Sequence, residues 1–254
     1  MTMEFQNKIV IVTGASAGIG ANACLYFAEK LASIVLVGRN IKALEDVARK
    51  CEQNHGVKAL VVKADITNDI EVKSIVTKTV DIFGRIDVLV NNAGVGVMAD
   101  VTDGVEFYDK AMNTNIRSAY HLTSLAVPYL IESKGSIVNV SSVAGMKPIG
   151  ELKFLAYGMS KAAMDHFTKY LALDLGPYGV RVNSVNPGAT KTDFISTAGL
   201  KDQGVMSKFC ATKLPLGKMA ESHEVADLIV YLASDRARSI TGSIFVIDNG
   251  ESLK

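Results

Sequence analysis

The chain has 254 residues, 48% of them apolar and 21% charged, with a formal net charge of +1. That balance fits a globular enzyme with an ample core and leaves no room for a disordered or fibrous class. Lys and Arg are scattered through the chain, so no basic stripe is available for a run of phosphates, which excludes nucleic acid as an expected partner.

The opening MTMEFQNK lacks the pattern of a signal or transit segment and leads straight into the first predicted strand, KIVIVT at 8–13, so a cytoplasmic location is expected. Thr13-Gly14-Ala15-Ser16-Ala17-Gly18-Ile19-Gly20 follows, and a helical segment over 18–30 comes next. The phosphates of a dinucleotide belong at such a strand-to-helix turn. Gly14 can make the tight turn, Gly18 and Gly20 admit a close backbone approach, and a helix N-terminus favours the charge. The spacing is Gly-x3-Gly-x-Gly, and taken alone such a turn could need glycine only for positive φ. The second strand, over 33–37, ends at Val37-Gly38-Arg39-Asn40. An acid about 20 residues beyond the turn would hold the adenosine ribose of NAD. None is present, and Arg39 suits the 2′-phosphate of NADP, so NADP(H) is the expected cofactor without NAD being excluded. The bland reading of Arg39 is an exposed arginine at a strand end.

Further strands are predicted at 58–63, 86–91, 135–141, 180–186 and 243–248, alternating with helical segments at 40–54, 68–83, 105–132 and 157–175. Near-continuous Val/Ile/Leu strands alternating with helices predict an α/β fold, a doubly wound (Rossmann-like) seven-stranded parallel sheet with helices on both faces. No linker, repeat or composition shift divides the chain, so 1–254 is expected as a single domain. No hydrophobic run approaches the roughly 20 residues of a membrane span. Cys24, Cys51 and Cys210 show no CxxC spacing and read as reduced thiols. The four histidines lack metal-ligand spacing, so no metal is expected.

Tyr157 and Lys161 stand four apart on a helical segment and therefore share a face. A free phenol has a pKa of about 10; an adjacent ammonium and a cationic oxidised nicotinamide both favour its phenolate. Alone, the pair is also compatible with a packed tyrosine beside a solvated lysine.

In this order and at these intervals, the turn at 13–20, Asn91-Asn92-Ala93-Gly94, Ser141-Ser142 and Tyr157-x3-Lys161 resemble the classical short-chain dehydrogenase/reductase family over essentially the whole chain. Asp65-Ile66, Asn115-Ile116, Asn186-Pro187-Gly188 with Thr192, and Ile240-Thr241-Gly242 extend the likeness. The resemblance implies a catalytic set of Asn115, Ser142, Tyr157 and Lys161. Tyr157 would be the acid in reduction and the base in oxidation. Lys161 would hold the nicotinamide ribose and lower the phenol pKa, while Ser142 orients the carbonyl. Asn115, rather than Asn113, would support a water that leads protons from Lys161 to solvent. Strand alternation points Ser141 away from the face of Ser142.

For the cofactor, the resemblance implies Gly14, Ser16, Gly18, Ile19 and Gly20 at the phosphates, Arg39 at the 2′-phosphate, and Asp65 and Ile66 around the adenine. It adds Asn91 and the following Asn92-Ala93-Gly94 turn, which would steady the sheet beside the cofactor, then Tyr157 and Lys161, then Pro187, Gly188, Thr190 and Thr192. The implied activity is hydride transfer between NADP(H) and a ketone, aldehyde or secondary alcohol by a homotetramer or homodimer. Residues 189–215, with Phe194, Ile195, Leu200, Val205, Met206 and Phe209, resemble a substrate lid. Their apolar character suits a steroid, isoprenoid or acyl substrate; packing against the body or a neighbouring subunit is the alternative. Two departures stand out. Ser142 and Tyr157 are fifteen apart, which predicts a bulged loop over 146–155, and Ala17 replaces a basic residue frequent in NADP-preferring relatives. Two other readings compete: a catalytically silent NADP(H)-binding sensor or scaffold, and an extended-fold epimerase or dehydratase, which would need a larger C-terminal substrate domain.

Overall fold

The computed structural model describes residues 4–149, 153–192, 194 and 210–254. Apolar β-branched runs form strands β1 (Ile9–Thr13), β2 (Ser33–Gly38), β3 (Ala59–Lys63), β4 (Val88–Asn91), β5 (Ser136–Val140) and β6 (Arg181–Pro187). Two short pieces, β7 (Thr190–Lys191) and β8 (Ala220–Glu221), pair with each other, and β9 (Ile244–Ile247) completes the main sheet. Among the described residues, seven strands make one sheet in the order β3-β2-β1-β4-β5-β6-β9. Every pairing in it is parallel. The doubly wound parallel sheet expected above is what forms.

Alternation along the strands sorts their side chains between two helical layers. Val10 and Val12 join the cluster beneath α1 (Gly18–Glu29), α2 (Ile41–His55) and α7 (Ser222–Ala233). Ile9 and Ile11 join the cluster beneath α3 (Asp69–Phe83), α5 (Ser118–Ser133) and α6 (Leu155–Leu175). Burial of such residues, at about 25 cal/mol per Å² of apolar surface, is what holds both layers to the sheet. Cys24 and Cys51 lie in the first cluster, where burial raises both thiol pKa values, that of Cys51 to about 11. Their chemistry there is that of small apolar side chains.

Helix boundaries follow local chemistry. Asn40 and Asn68 accept hydrogen bonds from first-turn amides of α2 and α3, and α7 opens with a reciprocal capping box between Glu221 and Glu224. That last helix was not among the predicted segments. The single helix predicted over 105–132 is divided: α4 (Val105–Met112) passes through a π-helical turn, Asn113–Arg117, into α5. The wider turn swings Asn115 into the interior, where its amide is fully hydrogen-bonded. Of the bulged loop predicted over 146–155, residues 150–152 lie outside the described residues. No helix among the described residues is long and apolar enough to cross a membrane.

The sheet's order reverses between β1 and β4, the switch point at which ligands bind beyond the strands' carboxyl ends. At the opposite end, the buried Asp87 carboxylate accepts from the Ile9 amide at 2.9 Å and from Arg85 at 2.6 and 2.9 Å. Lys8 approaches it to 3.2 Å. Both cations are nearly half exposed, so the buried amide bond carries most of the value. Asp87→Ala is expected to lower the unfolding free energy by about 2 kcal/mol, read as a lower urea midpoint at unchanged slope.

Candidate active site

The carboxyl ends of β1, β4, β5 and β6 open into one cleft of about 530 Å³, a volume in the range of small-molecule sites. At one end lies the glycine turn after β1. Gly14 takes φ +66°, and the next elements close over it: Asn92 Nδ2 donates to the Thr13 carbonyl at 2.8 Å and to that of Gly14 at 3.3 Å. Thr13 Oγ1 accepts from the amides of Asn92 and Ala93, both at 3.0 Å, and donates to Val90 O at 3.2 Å. A Cβ on Gly20 would collide with the Gly14 carbonyl oxygen. Ala17, at the N-cap of α1, supplies no side chain to the first-turn amides. Uncapped amides at a positive helix end, approached through glycines, fit the phosphates of a dinucleotide.

Beyond β2 and β3 the cleft is lined by Gly38, Arg39, Ala64, Asp65, Ile66 and Thr67. Arg39 is exposed there. Hydrogen bonds from the amide and hydroxyl of Thr67 hold the Asp65 carboxyl below its usual pKa, and the charge of Arg39 adds to the effect.

The other end of the cleft is built on α6. Tyr157 is 6% exposed, its ring set 5.1 Å from that of Phe154 and 5.4 Å from that of Phe194. Lys161 Nζ lies 5.7 Å from the phenol ring centroid and donates to Val140 O at 2.9 Å. Burial pushes the phenol up to about 12, opposed by the Ser142 hydroxyl. Burial likewise lowers Lys161 to about 8, opposed by the carboxylate of Asp165. The phenol is therefore not depressed by its lysine in the protein alone: desolvation sets the direction, and what opposes it is the Ser142 hydroxyl. Ser142 Oγ accepts from the Ala144 amide at 3.1 Å and donates to Pro187 O at 3.4 Å, while Ser141 Oγ turns away to Lys161 O at 3.0 Å.

Asp165, one turn beyond Lys161, was not singled out from the sequence, although its spacing of four from a cleft lysine was there to be read. Its carboxylate accepts from Asn186 Nδ2 at 2.9 and 3.0 Å, and the same amide reaches Ser142 O at 3.1 Å. Burial raises the pKa of this carboxyl.

Most of the predicted cofactor set lines the cleft: Gly14, Ser16, Gly18, Ile19, Arg39, Asp65, Ile66, Ala93, Gly94, Tyr157, Lys161, Pro187, Gly188, Thr190 and Thr192. Three predicted residues stand behind the wall. Gly20 packs under the turn. Asn91 ties β4 to β5 and α5 through Asn139 Oδ1 at 2.9 Å and Thr123 Oγ1 at 3.1 Å. Asn115 clasps Val95 through both its amide and carbonyl and donates to Ser160 Oγ at 2.9 Å. Asn113 points to solvent. Of the lid residues, Phe194 reaches the cleft; Ile195, Leu200, Val205, Met206 and Phe209 lie outside the described residues. Lys110, Thr114 and Glu251 line the cleft without having been anticipated.

The profile of a protein family described as "Enoyl-(Acyl carrier protein) reductase" matches residues 14–252. The trans-4-hydroxycyclohexanecarboxylate dehydrogenase of Sinomonas cyclohexanicum is 36% identical, with 96% of this chain and 93% of that one covered. A short-chain dehydrogenase/reductase of Caenorhabditis elegans, solved with cofactor, superimposes with a TM-score of 0.90 at 37% identity, covering 98% and 97% of the two chains. A 7α-hydroxysteroid dehydrogenase, solved with NADH and 7-oxo glycochenodeoxycholic acid, gives 0.91 at 28% identity over 98% and 96%.

Gly20→Ala is expected to leave the far-UV circular dichroism native and to weaken dinucleotide binding by about tenfold or more, because the turn must shift from under the phosphates. A fluorescence titration with NADPH measures it, and wild-type affinity would show the turn to be indifferent to this contact.

Proposed function

The chain belongs to the classical short-chain dehydrogenase/reductase family, and on that premise we propose that it is an NADP(H)-dependent reductase of a lipophilic ketone or aldehyde, working in reverse on the matching secondary alcohol. Hydride exchange between a nicotinamide cofactor and a carbonyl or alcohol carbon is the chemistry of the family. The observation that carries the reading is the convergence of Ser142, Tyr157 and Lys161 in one cleft with an uncapped helix N-terminus.

Bound nicotinamide supplies the hydride. The protein's share is to place donors where charge develops. The hydroxyls of Ser142 and Tyr157 meet the carbonyl oxygen, stabilise the alkoxide that forms on it and, from Tyr157, deliver the proton. A phenol held near 12 is fully protonated at neutral pH, so the acid is loaded before reduction begins. The Lys161 ammonium, still mostly protonated at pH 7 with a pKa of about 8, stabilises the phenolate left behind. In oxidation the same phenolate accepts the alcohol proton. Asn115 acts at one remove, holding the Val95 loop against α6 through Ser160.

Arg39, with no acid at the end of β2, supports NADP(H) over NAD(H), and with Ala17 in the turn it supplies most of the 2′-phosphate recognition. Val143, Ala144, Ile149, Phe154 and Phe194 give the substrate end apolar walls, which support a lipophilic substrate. The proposed lid is the segment 189–215, of which Phe194 lines the cleft while residues 193 and 195–209 lie outside the described residues, and the proposed chemistry belongs to one domain. Exposed Tyr120, Tyr170 and Leu173 on α5 and α6 support a homodimer or homotetramer, placed in the cytoplasm.

Tyr157→Phe is expected to retain NADPH binding and to lose about 10²–10⁴ in kcat, measured as NADPH oxidation at a wavelength of about 340 nm against a panel of ketones and aldehydes. Near-native turnover in this variant would remove Tyr157 from the mechanism. Arg39→Asp is expected to shift the NADPH-over-NADH ratio of kcat/KM by about tenfold or more toward NADH, since a charge-assisted contact is replaced by repulsion. An unchanged ratio would assign 2′-phosphate recognition elsewhere.

A further inference from the structure

The cleft contains a carboxylate, seated on the Pro187–Ala189 turn, that the proton and hydride chemistry leaves unused. Glu251, in the turn Glu251–Leu253, is 7% exposed and lines the cleft. One of its oxygens, Oε2, accepts from the Ala189 amide at 2.8 Å; Oε1 has no hydrogen-bond partner among the described residues. Lys147 donates to the backbone oxygen of Glu251 at 2.9 Å and forms no salt bridge with its carboxylate. Asp248 fixes the turn by accepting from the amides of Gly250 at 2.9 Å and Ser252 at 2.7 Å. A Cβ on Gly188 would come within 2.5 Å of Glu251 Oε2, so glycine is what lets the carboxylate sit on the Pro187–Ala189 turn. The same turn presents Pro187 O to the Ser142 hydroxyl at 3.4 Å.

Burying a carboxylate with one oxygen unbonded is costly, and a ligand that brings a donor offsets the cost. Among donors, a hydroxyl loses less hydration than an ammonium on entering a cleft with the apolar walls of Val143, Ile149 and Phe194. A substrate carboxylate there would be repelled. We propose that Glu251 is a specificity-determining residue that accepts a hydrogen bond from a second oxygen of the substrate, so that the natural pair is a hydroxy-ketone and a diol with an apolar remainder. Desolvation by burial and the nearby Asp248 raise the carboxyl pKa, while the Ala189 amide and Lys147 oppose them. This assignment rests on the oxidoreductase reading above and names the substrate class for the same site.

The test compares NADP⁺-dependent oxidation of the 1,2-, 1,3- and 1,4-cyclohexanediols with that of cyclohexanol. Wild-type protein, Glu251→Leu and Glu251→Gln are assayed, with melting curves and NADPH titration to establish that each is folded. The wild type is expected to favour at least one diol by about tenfold or more in kcat/KM, the value of one hydrogen bond to a charged group. In Glu251→Leu the ratio should collapse toward one. Glu251→Gln, which can keep the Ala189 contact, should lose at least about threefold of the preference and serves if the leucine variant does not fold. Turnover without a diol preference, or a preference that survives in the folded variants, overturns the assignment alone. No turnover of any alcohol by the wild type overturns it together with the oxidoreductase reading.

Discussion

The active site depends on a charge buried behind it. Asp165 lies inside α6 with its carboxylate held by Asn186, and the nearest positive charge is Lys161, one turn away on the same helix. An isolated carboxylate at such depth would be expensive. Here its cost is shared among an amide, two hydroxyls and an ammonium. Because Asn186 also holds Ser142 O, the network joins the ends of β5 and β6 to the helix that bears Tyr157. Three separate segments thereby place one proton donor, one hydroxyl and one cation around a single point. Removing the carboxylate would leave Lys161 with burial alone acting on it, and burial drives that group toward the neutral form.

The opposing shifts of Tyr157 and Lys161 have one origin. Desolvation disfavours whichever form is charged, so it keeps the phenol protonated and weakens the ammonium. In the proposed mechanism this keeps the acid loaded, and the charge of Asp165 opposes the loss of the cation assigned to the phenolate. At the cleft's far end the logic is reversed: there the protein offers unfilled donors, the α1 amides and the Arg39 guanidinium, to an anion that arrives with the ligand.

The strands were readable from sequence because a parallel sheet buried on both faces demands uninterrupted apolar residues, and few other structures do. Tyr157, Lys161 and Ser142 were readable because their chemistry is rare in combination. What escaped has a physical reason in each case. Helix α7 follows a stretch whose pattern mixes glycine, lysine and apolar residues, and its capping box depends on two glutamates that also suit a solvated surface. The π-helical turn leaves no mark in hydrophobic spacing, since its cause is the set of bonds Asn115 finds on Val95 and Ser160, distant in sequence. Glu251 reaches the cleft only because the chain past β9 folds back onto Gly188, a contact that spans more than sixty positions. Asn91, by contrast, was legible in its role of steadying the sheet, which it does as a tie behind the cleft wall.

The π-helical turn also sets a limit on how this chain tolerates a change of length. Such a turn holds one residue more than the α-helix around it. Deleting Thr114 would let α4 and α5 merge into an unbroken helix, a locally easy change. Each residue of an α-helix advances by about 100°, so one of the two flanking faces would be turned by roughly that angle against its neighbours. Either the α5 face that packs on β4 and α3 or the α4 face that packs on α6 would then be misaligned. The helix would become more regular while the domain lost register, which makes this the one stretch of helix among the described residues in which a deletion and an improvement of local geometry coincide.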